Sequence, residues 1–240
     1  MTVTGTTAPV VVVPAARRFH TRAGWLDSHH SFSFGRHRDP GNTNHGLLLV
    51  NNDDRVLGGT GFDTHPHQDM EIVTWVLDGA LEHKDSERNR GILYPGLAQR
   101  MSAGTGIWHS EMNNSGSEPV HFIQMWVLPD TEAIDPGYEQ LDINRELDRG
   151  GLVPIASGKG HDAAISIRQA SAVLWGGRLR AGEQVEVPDA GHVHLYVARG
   201  TAELESAALG EGDAVRLTGA GERPLVAGPD GAEVLIWETA

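Results

Sequence analysis

A chain of 240 residues buries one large or two small cores, since domains commonly run about 100–150 residues. Its net charge of -13 lacks the basic footprint that nucleic-acid and anionic-membrane partners require, which leaves a neutral or small-molecule ligand as the expectation. Cysteine is absent, which excludes disulfides, thiolate metal sites, iron–sulfur clusters and a cysteine nucleophile, so any metal must be held by nitrogen and oxygen.

The N-terminal segment MTVTGTTAPVVVVPAARR has a four-valine run with no basic stretch ahead of it and does not read as a signal peptide. No later stretch approaches about 18 uninterrupted apolar residues, so a soluble cytoplasmic protein is expected. Short strand-like segments follow. Ser31-Phe32-Ser33-Phe34 alternates, Leu47 to Val50 is an apolar run before Asn51-Asn52-Asp53-Asp54, and Glu71 to Leu77 ends at the hairpin signal Asp78-Gly79. Val120 to Leu128 is nearly all apolar and stops at Pro129-Asp130. The texture changes at Asp130 to Gly151, where EQLDINRELDRGG reads as a linker with a short helix ending at the glycine pair. Beyond it, β-like runs such as Val193–Ala198 and Val234–Trp237 return. The spacing predicts an all-β chain, a β-sandwich or barrel, with a first domain at 1–130, a linker at 131–150 and a second domain at 151–240. Leu77-Asp78-Gly79 and Ala198-Arg199-Gly200 do similar work in the two halves, consistent with a duplicated barrel.

Two polar constellations stand out within the first half. FDTHPHQDME places His65, His67 and Glu71 at even spacing, hence on one face if the strand is continuous. Imidazoles and a carboxylate facing a barrel interior carry a heavy desolvation cost unless paired or bound to a cation. The competing reading is a surface or hydrogen-bonded histidine pair. MSAGTGIWHSE then repeats the pattern, with His109 and Glu111 two apart after a glycine-rich turn. Three histidines and a carboxylate suit Fe(II), Mn, Co, Ni, Cu or Zn.

GTGFDTHPHQDMEIVTWVLDG followed by PGLAQRMSAGTGIWHSEMN resembles both cupin motifs, and HPH, MSAGTGI and HSE together resemble the pirin family of bicupins, closest to its bacterial quercetin 2,3-dioxygenase-type members. The likeness extends to AGWLDSHHSFSFG, LLLVNNDDRV, LEHKDS and PGYEQ, and so covers most of the first 140 residues. It implies two tandem cupin domains, jelly-roll-like β-barrels, joined by the short helical linker. By position it implies His65, His67, His109 and Glu111 as metal ligands, with Glu111 also as catalytic base. Other cupins take the carboxylate from the first motif, here Glu71, which is kept as a supporting residue behind the ligands. The implied cofactor is one divalent transition metal per chain, Fe(II) first, with Mn, Co, Ni, Cu or Zn as alternatives. The implied reaction is opening of the heterocyclic ring of quercetin or a related flavonol by O2 with release of carbon monoxide. The partners are then an aromatic small molecule and O2, with neither nucleic acid nor membrane. The alternative is a metal-dependent regulatory protein that docks on a protein partner.

The second half departs from the motif. His192 lies eight residues before Gly200 as Glu71 lies eight before Gly79, so Glu186 and Pro188 stand where His65 and His67 would. Leu225 stands where His109 would, and the second barrel is expected to hold no metal despite His192 and His194. Elsewhere His30 and His121 read as core histidines, His83 as hairpin surface, and Trp75, Trp108 and Trp126 as barrel filling.

Overall fold

The structure, a computed structural model, describes residues 10–162 and 165–240, so the first nine residues of the N-terminal segment lie outside the described residues. The first half carries β1 (Val11–Val13), β2 (Phe19–Ala23), β3 (Leu26–His30), β4 (Leu48–Val56), β5 (Gly61–His67), β6 (Glu71–Asp78), β7 (Leu81–Asp85), β8 (Arg90–Leu93), β9 (Leu97–Ser102), β10 (Ile107–Asn113), β11 (Val120–Val127) and β12 (Gly137–Asp142). After α1 (Asn144–Leu147) come β13 (Val153–Ser157), β14 (Ile165–Ser166), β15 (Val173–Leu179), β16 (Gln184–Val187), β17 (His192–Leu204), β18 (Ala207–Leu209), β19 (Ala214–Thr218) and β20 (Arg223–Thr239). The chain is all-β with two tandem cupin barrels and a short helix between them.

The first barrel is a seven-stranded sheet, β12-β9-β6-β11-β4-β3-β2, facing a four-stranded sheet, β5-β10-β7-β8. The second is built on a nine-stranded sheet around β19-β17-β20-β15. Several local readings change. Asp78-Gly79 turns the chain as expected, with Gly79 at φ 77°, but β6 and β7 join different sheets and do not pair as a hairpin. The corresponding Gly200 (φ 73°) instead sits at a bulge within the unbroken β17. Strand β3 ends before Phe32 and Phe34, which belong to the loop leading to β4. Part of the segment read as linker is β12, paired with β9 along its whole length, and α1 shrinks to four residues. The valine run forms β1, which pairs with β19 of the second barrel.

The apolar runs at 72–77 and 120–127 are continuous because their strands are covered on both faces, a situation in which alternation disappears. Val73, Trp75 and Leu77 of β6 and Ile123, Met125 and Val127 of β11 share one apolar layer with Leu174, Tyr196 and Trp237 of the second barrel. The opposite face of the same strands points into the first barrel, where Val76 and Phe122 pack with Leu81 and Leu93. Polar anchors lock the layer. Trp75 Nε1 donates to Glu233 (2.9 Å), Trp237 Nε1 to Met125 Sδ (3.2 Å), and Arg199 to the Leu77 carbonyl (2.7 Å).

Asp53 of β4 is the charged centre of this contact. It accepts from Tyr196 Oη (2.6 Å), Arg18 Nη1 (3.2 Å) and His121 Nε2 (2.6 Å). His121 is therefore a hydrogen-bond partner of Asp53 as well as a packed residue. Burial pushes the Asp53 carboxyl up, but His121, Arg18 and Tyr196 outweigh it and hold the group below the usual carboxylate range. A depressed carboxyl contributes stability that is present above its unfolded pKa and is lost on acidification. The contact should therefore loosen as pH falls below about 4. Arg18→Met should lower unfolding free energy near neutrality by about 3–5 kcal/mol, because it strands a buried charge. Urea denaturation of both proteins across pH 3–7 measures this, with the difference shrinking at the acid end.

Candidate metal centre and active-site cavity

Strands β5 and β10 pair so that His65 stands directly opposite His109 and His67 opposite Ile107. Side chains two apart share a face, so His65, His67, His109 and Glu111 all enter the space between the two sheets. The ring centroids of His65, His67 and His109 lie 4.4–4.9 Å apart, and their nitrogens fall within 4.8 Å of one another. His65 Nδ1 donates to the Asp63 carbonyl (2.7 Å), which leaves the Nε2 lone pair free. His67 Nε2 and both nitrogens of His109 are buried without a hydrogen-bond partner. Burial, reinforced by His109 and His65, pushes His67 down to about 4, and burial with His65 and His83 pushes His109 down to about 3. Both rings are thus neutral near pH 7 and present unused lone pairs in a buried cluster. A divalent cation fits that donor set, since it satisfies nitrogens that nothing else in the protein reaches.

Glu111 flanks the cluster from β10, sharing His109 with it through a group that also holds His83. Its carboxylate accepts from Gln124 Nε2 (2.6 Å) and Thr74 Oγ1 (3.3 Å), both on the inner face of the seven-stranded sheet. Trp126 Nε1 donates to Gln124 Oε1 (3.2 Å), which fixes the orientation of that amide, and its ring meets His67 edge-on at 4.8 Å. Trp126 therefore serves the site, which its reading as barrel filling missed. Trp75 is core as expected, whereas Trp108, on the outward face of β10, is 54% exposed.

Glu71 is not brought into the cluster. The turn at 68–70, with Asp69 at φ 46°, interrupts the strand and breaks the even spacing from His67. Thr74 points inward, so Glu71, three residues away, faces the second barrel. There its carboxylate accepts from Ser102 (2.9 Å) and from the backbone N–H of Arg168 (3.0 Å).

His83 is the other correction. Expected on a hairpin surface, it is 1% exposed, because the alternation Leu81-His83-Asp85 of β7 carries it inward. It bonds Asp85 (3.2 Å), meets the Tyr138 ring at a tilt (centroids 4.9 Å apart) and forms a second tight group with His109 and Glu111. In the second barrel His192 bonds the Ala240 carbonyl (2.8 Å), and His194 is buried beside Phe32 with neither nitrogen bonded.

The cluster opens on a cavity of about 670 Å³. Its walls are apolar at Trp25, Leu26, Phe34, Phe62 and Trp126, and polar at Ser28, His30, Asn52, Asp54, Gln124 and Glu111. Size and lining match a small-molecule site. His30 is buried and satisfied by Asn52 (2.9 Å) and Thr21 (2.9 Å), as a core histidine should be, but it also lines this cavity. An open groove of similar volume between Asp130–Asp135 and Ile167–Ala170 holds no histidine.

The family profile described as Pirin matches residues 12–127, and that described as Quercetinase C-terminal cupin domain matches residues 154–239. A Mycobacterium tuberculosis protein that carries the provisional name of a quercetin 2,3-dioxygenase is 59% identical over 97% of this chain and 96% of its own length. The chain belongs to the pirin family. The crystal structure of YhhW from Escherichia coli superposes with a TM-score of 0.90 at 34% identity, covering 97% of this chain and 98% of that one. A nickel(II) complex of the same bacterial pirin gives 0.89 at 33%, covering 96% and 99%. An Escherichia coli protein named quercetin 2,3-dioxygenase is 50% identical over 52% of this pirin and 54% of its own length.

Asp54 carries a further consequence for stability. Burial, with some relief from Ser28 and reinforcement from Asp53 and Glu111, pushes its carboxyl up to about 7. A raised carboxyl contributes stability that is complete below its unfolded pKa and is lost as pH rises through the folded one. For the metal-free pirin, Asp54→Asn should therefore match the parent near pH 4 and exceed it at pH 8, by on the order of 4 kcal/mol at most. Thermal denaturation at the two pH values reads the sign.

Proposed function

We propose that this pirin is a metal-dependent dioxygenase that opens the heterocyclic ring of quercetin or a related flavonol with O2, releasing carbon monoxide. The observation that carries the reading is the buried, unpartnered nitrogen set of His67 and His109 beside Glu111 and His65 at the wall of the cavity. The names of the relatives support it. On this reading His65, His67, His109 and Glu111 hold one divalent metal, with Fe(II) as the first candidate and Mn, Co, Ni, Cu and Zn as alternatives. When bound, the metal acts as a Lewis acid that lowers the pKa of a phenolic hydroxyl directed at it.

The remaining work falls to the protein. Glu111, held by Gln124 and Thr74, accepts the proton of the substrate hydroxyl, which leaves an electron-rich enolate to react with O2. Trp25, Phe34, Phe62 and Trp126 provide flat apolar walls for the aromatic rings and exclude water from them. The open cavity favours turnover over a purely regulatory role, since a sealed metal would need no volume for an aromatic ligand.

Oxygen-dependent loss of quercetin absorbance with carbon monoxide detection tests the reading, using protein loaded separately with Fe(II), Mn(II), Co(II), Ni(II) and Cu(II). Turnover should require metal, and His109→Ala should abolish both loading and activity. Glu111→Gln should lower kcat by roughly 10²–10⁴ with metal still present, the range that a positioned base contributes. Full turnover by loaded Glu111→Gln would remove Glu111 from the proton transfer, and no turnover with any metal would remove the dioxygenase.

A further inference from the structure

The cavity holds a second carboxyl that the metal cluster does not use. Asp53 and Asp54 are neighbours on β4 and point to opposite faces of the sheet. Asp53 is saturated by Tyr196, Arg18 and His121. Asp54 is equally buried at 3% exposure, yet its Oδ1 has no hydrogen-bond partner, and the residue lines the cavity together with Glu111. Ser28, opposite Asp54 on β3, supplies a supporting hydroxyl bond. Asn52 and His30, which share the same inner face, are bonded to each other and leave Asp54 unsatisfied.

A buried carboxyl oxygen without a partner costs stability. Packing alone would be served better by asparagine or leucine, so the arrangement reads as one completed by a ligand. Asp54 lines the cavity, on the sheet that faces the histidines, so the cavity is the side from which a partner can reach its carboxyl. A hydroxyl suits it in either protonation state of the carboxyl, because a hydroxyl both donates and accepts. A site built to bond a hydroxyl rejects an analogue lacking it far more strongly than an apolar wall rejects a change of size.

We propose that Asp54 is a specificity determinant: it bonds a second hydroxyl of the substrate, so the cavity selects polyhydroxylated planar aromatics whose first hydroxyl is directed at Glu111 and the histidines. The proposal rests on the dioxygenase reading above and narrows its substrate class. Ser28 holds the carboxyl in place for this role.

The test is ligand binding to the nickel-loaded protein under argon, where no turnover occurs, followed by quenching of tryptophan fluorescence. The probes are quercetin, which carries several ring hydroxyls, and 3-hydroxyflavone, which carries only the hydroxyl next to the ring ketone. Asp54→Asn and Asp54→Leu are compared with the parent, with metal content measured for each. The parent should prefer quercetin. Both variants should bind quercetin about 10- to 100-fold more weakly, the loss expected for a hydrogen bond to a charged group. They should keep their affinity for 3-hydroxyflavone within about twofold and retain full metal content. An unchanged quercetin-to-3-hydroxyflavone ratio in both variants would overturn the assignment while leaving the dioxygenase reading intact. Failure of the parent to bind either flavonol would overturn that reading and the assignment with it.

Discussion

Strands β4, β6 and β11 are buried on both faces, and the parity of each residue along them decides which of two jobs it does. Thr74, Gln124, Asn52 and Asp54 face the histidine cluster and cavity, whereas Glu71, Trp75, Met125 and Asp53 face the second barrel. The second barrel therefore acts as the backing of the active-site sheet even though its own histidines take no part in the cavity. A one-residue slip in any of these strands would exchange the two sets, burying Asp53 in the cavity and Asp54 in the domain contact. The knot of Arg18, Tyr196 and His121 on Asp53 opposes such a slip, because only Asp53 finds partners there.

Four buried carboxylates of the first barrel differ through their surroundings. Glu111 is held by an amide and a hydroxyl and stands beside the imidazoles. Glu71 is spent on Ser102 and a backbone N–H, and Asp53 on cations. Asp54 alone among them keeps a buried oxygen without a hydrogen-bond partner, in a residue that lines the cavity. Structural groups in a folded protein tend to be satisfied, and unsatisfied ones concentrate where ligands bind. The same logic separates the histidines: His30 and His121 are bonded within the protein, while His67 and His109 keep buried nitrogens without a partner.

Much of this was legible in the chain itself. The HPH and HSE spacings place His65, His67, His109 and Glu111 on inward faces of their strands, because period-two alternation needs no knowledge of the partner strand. The second barrel was legible from the return of short β-like runs after residue 151, whereas the likeness of Gly79 and Gly200 did not hold. What stayed hidden depended on contacts distant in sequence. Whether Asp78-Gly79 makes a hairpin depends on which sheet receives β7, and a dipeptide does not encode that choice. Glu71 was misplaced because a turn at Asp69 reset the alternation, and a positive φ at a non-glycine residue leaves little trace in sequence. His83 was readable in principle, since Leu81 should have fixed the inward phase of β7. Asp54 was overlooked because NNDD looks like a turn, and only burial on both faces of β4 turns it into strand.

The central claim is that three imidazoles and the Glu111 carboxylate form one metal centre facing the flavonol cavity. Metal-edge X-ray absorption of the nickel-loaded pirin, recorded under argon before and after addition of quercetin, addresses it directly. The account predicts a first shell of nitrogen and oxygen with the multiple-scattering signature of three histidines, reduced in His109→Ala, and a change in that shell when quercetin is added. A shell without imidazole scattering, or one indifferent to both His109→Ala and quercetin, would contradict it.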